Sequence, residues 1–179
     1  VETEWHSWCS ALFATRRPRS AGETRVWGVH VAAVDGTQVG PVTYETDRAR
    51  FLGRGRTTRD PVALDPAGDG PLEGVTGAVL DPIATLRVRL RLAPSESGSV
   101  SFTTLVATTR ERAFELADRY DDPAAAQRGL HLAWTTAQVE LRELGITPAH
   151  AATFQDFAGH LLYADRSLGA PAAERARNR

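Results

Sequence analysis

One short stretch, Tyr44 to Arg56, holds two acids (Glu45, Asp47), four arginines (Arg48, Arg50, Arg54, Arg56) and two glycines (Gly53, Gly55). A guanidinium presents a planar fork of donors that suits phosphate oxygens or sugar hydroxyls, and glycine lets backbone approach a ligand closely. Arg48, Arg50, Arg54 and Arg56 are therefore the candidate substrate-binding residues, bordering an anionic or carbohydrate site. The competing reading is ordinary. Glu45 and Asp47 can neutralise the arginines, and exposed ion pairs of this kind are common and weak, so spacing by itself favours an ion-paired surface loop.

The remaining chemistry-bearing residues point to no catalytic constellation. The histidines at positions 6, 30, 131, 150 and 160 have no H-E-x-x-H or related spacing, so no metal site is expected. Neither a nucleophile elbow nor a phosphate-binding glycine motif occurs, and Gly53-Arg54-Gly55 alone is too short to count as one. Cys9 is the single cysteine, which excludes an internal disulfide and a cysteine-based metal site. Arg87, Arg89 and Arg91 share one face of a strand, where a solvated or ion-paired face is the ordinary explanation. Trp27 and Trp134 fall on expected core faces, leaving Trp5 and Trp8 as the tryptophans open to stacking on a sugar ring.

Composition narrows the field. A formal net charge of -1 gives no basic field to attract nucleic acid, so no nucleic-acid partner is expected. No run approaches the roughly 18 to 20 apolar residues of a membrane span. All 21 basic side chains are arginine, which fits a high-GC bacterial genome, and the chain has no Met and opens on Val1, so it reads as an internal piece of something longer.

Two kinds of element must position these residues. Before residue 109 the pattern alternates with Gly, Pro and Asp punctuation, and after it the period is helical. Trp27, Val29, Val31 and Ala33 alternate with Gly28, His30 and Ala32, and Asp35-Gly36 predicts a hairpin turn. Leu86, Val88, Leu90 and Leu92 predict a buried strand face, and Val100, Phe102, Thr104 and Val106 predict another. The short Pro94 to Gly98 connection predicts that these two strands form a hairpin. Gly53 to Gly77 reads as a long ordered loop. Thr109, Asp122-Pro123 and Thr147-Pro148 each predict a helix start. Leu130, Trp134, Ala137, Leu141 and Leu144 form an apolar stripe expected to pack, Gly145 ends its helix, and Phe154 to Leu162 marks the next. The tail after Asp165 is polar and weakly patterned.

Several separated strings carry a family likeness. Tyr44 to Arg56, Gly77 to Ile83, Val1 to Glu4, Ala14 to Arg19 and Trp134 to Ile146 together resemble the phosphorylase family of cellobiose and chitobiose phosphorylases, glycoside hydrolase family 94, and above all its cyclic β-1,2-glucan synthase branch. The stretch Trp5 to Ser10 and Gly169 depart from that pattern. The resemblance implies an α+β chain: an antiparallel β-sandwich, part of a supersandwich, over residues 1–108, and a linker of about three helices over 109–179. An (α/α)₆ catalytic barrel would follow, outside this chain. Family chemistry is an inverting attack by phosphate on a β-glucosidic bond, with one carboxylic acid protonating the leaving oxygen. That acid is expected beyond Arg179, so the resemblance places no catalytic residue here.

The implied role is non-catalytic, with the chain supplying scaffold and one wall of the glucan and phosphate site of a larger glycosyltransferase or glycoside phosphorylase. In that setting Arg48, Arg50, Arg54 and Arg56 stand level with the ion-paired reading. The alternative is a stand-alone carbohydrate-binding or subunit-assembly β-sandwich. No cofactor is implied beyond inorganic phosphate as co-substrate of the longer enzyme. The implied partners are a β-glucan oligosaccharide, the barrel of the same longer chain and a second copy in a homodimer. The implied location is the cytoplasmic face of the bacterial inner membrane, within a larger membrane protein.

Overall fold

A computed structural model describes residues 1–65, 72–163 and 169–178. It is α+β, with antiparallel sheets first and helices after them. The chain divides into two compact units, Val1–Gly129 and Leu130–Arg179.

The first unit is built on a five-stranded sheet in the order β5-β1-β2-β3-β7, with a two-stranded sheet of β4 and β6 beside it. The strands are β1 (Glu2–His6), β2 (Ala11–Thr15), β3 (Trp27–Asp35), β4 (Thr43–Asp47), β5 (Gly77–Ala78), β6 (Pro82–Arg87) and β7 (Ser99–Ala107). Side chains alternate across a strand, and each face of the large sheet has its own cover. Ala11, Phe13, Trp27, Val29 and Val31 form one core with Ala113 and Ala117 of helix α2 (Arg110–Asp121). Leu12 and Ala32, on the opposite face, pack with Val42 and Leu86, and Trp5, Tyr44 and Val88 complete this second cluster. The alanines of α2 are fully buried, which lets the helix lie close on the sheet.

The expected alternation in β3 holds, but the expected pairings do not. No hairpin follows Asp35-Gly36. Gly36 does adopt positive φ, 142°, yet the chain then leaves the large sheet, and β4 pairs with β6. The predicted hairpin of Leu86–Leu92 with Ser99–Thr108 is likewise absent. Strand β6 spans Pro82–Arg87, and the residues after it continue alongside 37–39 through a Gln38 to Leu90 bridge. Strand β7 instead pairs along its whole length with β3, from Trp27 opposite Ala107 to Asp35 opposite Ser99. That register reverses the buried face predicted for β7. Leu105 and Ala107 stand opposite Val29 and Trp27 and share their covered face. Phe102 and Val106 are left 52% and 69% exposed. A short connection limits distance, not partnership, so a nine-residue match with β3 outweighs it.

The local helix signals hold. Thr109 accepts from the Arg112 amide at 3.1 Å, Asp122 from the Ala124 amide at 2.9 Å and Thr147 from the His150 amide at 3.2 Å. They open α2, α3 (Pro123–Glu143) and α4 (Pro148–Leu162). Gly145 has φ 66°, and the Ile146 amide closes on the Leu141 carbonyl at 3.0 Å, a left-handed helix stop. A short α5 (Ala172–Arg175) lies in the tail, whose residues 164–168 are outside those described.

The apolar stripe of α3 is not packed as expected. Trp134 is 62% exposed, and Leu130 and Leu144 are also exposed. Periodicity reports that a face is apolar and says nothing of what covers it. Trp27, by contrast, is buried as expected, with the Arg110 guanidinium 5.6 Å from its ring centroid.

Candidate functional site

The arginine-rich stretch begins where β4 ends. Glu45 is 1% exposed; its Oε1 accepts from the Thr46 and Asp47 amides at 2.9 and 2.8 Å, at the point where the β4–β6 register shifts. Among the described residues its Oε2 has no hydrogen-bond partner. Buried Thr46 meets the Thr3 hydroxyl at 3.0 Å and donates to the Val75 carbonyl at 2.7 Å, tying this corner to β1 and to the segment before β5. Asp47 then caps a short helix, α1 (Arg48–Leu52), by accepting from the Ala49 amide.

Gly53 ends α1 at φ 80°, and a Cβ there would stand 2.8 Å from Val62. Both conditions demand glycine. The loop beyond returns through a single 3-10 turn, Val62–Leu64, and the Arg87 guanidinium donates to the Ala63 carbonyl. The predicted long loop is thus ordered where it is described, while its residues 66–71 lie outside the described residues.

The four candidate arginines separate into two pairs. Arg50 is ion-paired with Glu73 and lies 3.8 Å from Asp47. Arg56 meets Asp65 at 2.5 Å and Asp60 at 3.5 Å. The hydrogen bonds that Arg50 donates to Glu73 and Arg56 to Asp65 hold both guanidinium groups above their usual basicity. Arg48 and Arg54 are exposed and have no acidic partner among the described residues. So Arg50 and Arg56 fasten the loop, while Arg48 and Arg54 meet no carboxylate among the described residues. Sequence spacing could not make this distinction, because Asp65 and Glu73 are distant in the chain.

A second feature gave no sequence signal. A cavity of about 350 Å³ lies between the two sheets, lined by Leu12, His30, Thr46, Ile83 and Thr104 among others. Burial lowers the pKa of His30, whose Nδ1 is 3.0 Å from the Thr104 hydroxyl. Among the described residues the lining carries no Asp or Glu.

The two open tryptophans part ways. Trp5 stacks on Tyr44 between the sheets, with centroids 4.5 Å apart. Trp8 is 56% exposed. Cys9 is buried, and desolvation with help from Asp121 and Asp118 pushes its thiol up to about 12, which leaves it inert at neutral pH. Among the described residues no group of three His, Cys, Asp or Glu side chains could hold a metal, and no helix is long and apolar enough to cross a membrane.

Comparison with known proteins agrees with this architecture. Residues 1–123 match the family model described as glycosyl hydrolase 94, supersandwich domain. The chain is also 36% identical over 172 residues to the cyclic beta-(1,2)-glucan synthase NdvB of Rhizobium meliloti (strain 1021). That alignment covers 96% of this chain and 6% of the relative's length.

Proposed function

Because the chain belongs to the glycosyl hydrolase 94 supersandwich family, we propose that it is the non-catalytic supersandwich and following helices of a longer glucan-processing enzyme. In this reading it provides scaffold and one wall of a site for β-glucan and phosphate. The observation that carries the proposal is the pair of guanidinium groups without an acidic partner among the described residues, Arg48 at the start of α1 and Arg54 in the loop after it, beside the ion-paired Arg50 and Arg56. Cationic donors suit phosphate and sugar hydroxyls, and a backbone tied down by neighbouring ion pairs has less ordering left to lose on binding. The name of the similar protein supports cyclic β-1,2-glucan as the polymer class. The proton donor and nucleophile would come from the rest of the longer protein, as would any attachment to the inner membrane.

Titrating inorganic phosphate and β-1,2-gluco-oligosaccharides, separately and together, into the longer protein and the 179-residue chain tests this. In the longer protein each ligand is expected to tighten the other, and a combined Arg48→Ala, Arg54→Ala variant to weaken that mutual effect. Oligosaccharide binding by the 179-residue chain that needs both arginines and ignores phosphate would instead make this a self-sufficient carbohydrate-binding module.

A further inference from the structure

Trp8 is a large aromatic side chain held open by the fold. It belongs to a single 3-10 turn, Ser7–Cys9, between β1 and β2. Cys9 anchors that turn in the core formed with Ala113 and Ala117. Ser10 follows at φ 43°, a left-handed conformation that a non-glycine residue adopts only when its surroundings impose it. The indole is stacked on Phe114, with centroids 6.1 Å apart and planes 28° apart, and Phe114 in turn packs on Phe13 and His6. Trp8 therefore rests on the core yet leaves more than half of its surface to solvent.

The surroundings have a particular polarity. Asp118 lies one helical turn beyond Phe114, and Asp121 one turn beyond Ala117, on the face of α2 that meets this turn. Helix α2 meets the turn through Phe114, against Trp8, and through Ala113 and Ala117, against Cys9, and Asp121 is half-buried with its pKa raised by burial and then by Asp118. The nearby Arg110 guanidinium is taken up by Glu4, at 2.6 Å. The open indole thus stands beside a helix face that carries two carboxylates. Phosphate is repelled by such a face. A neutral pyranose fits it: the C–H face of the ring stacks on indole while its hydroxyls donate to carboxylates, the stronger class of hydrogen bond.

We propose that Trp8, Asp118 and Asp121 form a second contact for a neutral pyranose chain, on the helix-covered side of the five-stranded sheet. The arginine loop leaves the small sheet that packs on the opposite face, so the two contacts are separate. The choice of β-glucan as the ligand rests on the function proposed above; the contact itself rests on Trp8 and its neighbours.

The test is a titration of the ¹⁵N-labelled 179-residue chain with a β-1,2-linked gluco-oligosaccharide, following the indole N–H resonances. The Trp8 resonance, identified by its loss in Trp8→Ala, is expected to shift saturably. Trp8→Ala is expected to weaken binding about tenfold, Trp8→Phe and Asp121→Asn by less, and Trp134→Ala, which removes another exposed indole, not at all. Trp8→Phe retains an aromatic ring, so it reports on stacking should the alanine variant fold poorly. An unmoved Trp8 resonance at the solubility limit of the sugar overturns the proposal, and so does binding that Trp134→Ala weakens as much as Trp8→Ala. Failure of the arginine-loop reading leaves this result intact, because that reading is scored by phosphate coupling in the longer protein.

Discussion

Phe13→Ala is expected to destabilise the first unit by about 3–5 kcal/mol. Phe13 has no exposed surface, and its ring touches two aromatic neighbours, with centroids 4.8 Å from His6 and 4.7 Å from Phe114. It sits where β2 meets α2, beside Val29 and Val31, so truncation removes the contact that joins sheet to helix. Relaxation has little room, because the facing helix residues are alanines already at full burial. Urea denaturation followed by circular dichroism measures the loss. Trp134→Ala is the matched control: it removes a larger side chain, but one that is 62% exposed, and is expected to change stability by no more than about 0.5 kcal/mol. Equal losses from the two substitutions would refute the assignment of the core to the face of the sheet that carries Phe13.

On the function proposed above, Arg54→Ala in the longer protein is expected to lower kcat/KM for phosphorolysis about ten- to a hundredfold, the effect of losing one charge-assisted hydrogen bond. The melting temperature should stay the same, since Arg54 has no ion-pair partner to strand among the described residues. Arg50→Ala is expected to act differently. It leaves Glu73 and Asp47 unpaired and loosens the loop without removing a free donor, so both arginine-dependent contacts weaken modestly together. Rates and product lengths unchanged by Arg54→Ala would remove the loop from the site.

What could be read from the sequence was what is local. Thr109, Asp122, Thr147 and Gly145 each govern a few backbone groups within one turn, and all four behave as their types predict. The inward face of β3 was equally legible, because alternation with period two survives whatever the strand pairs with. Pairing was not legible. Nothing within Ser99–Ala107 names β3 rather than β6 as its neighbour, and choosing wrongly exchanged the covered and open faces of β7. The stripe of α3 was misjudged for a related reason: Trp134 and Leu130 show an apolar face, while the partner that would cover it is a tertiary fact. In the candidate site, clustering singled out the four arginines, but which of them are neutralised depended on Asp65 and Glu73. The buried carboxylate of Glu45 was masked by its charge, since an acid in such a polar run reads as surface.

The order of the five-stranded sheet grades its amides by their access to water. Over residues 27–31, strand β3 is paired on both sides, with β2 and with β7, and its inward face lies beneath α2, so the amide protons there exchange only when the whole unit opens. Strand β7 is paired on one side alone among the described residues, and every second amide along it faces outward. Those amides exchange from the native state. Two strands joined over nine residues thus mark opposite ends of the protection scale: β3 reports the global stability of the unit, and the outer edge of β7 reports contact with solvent.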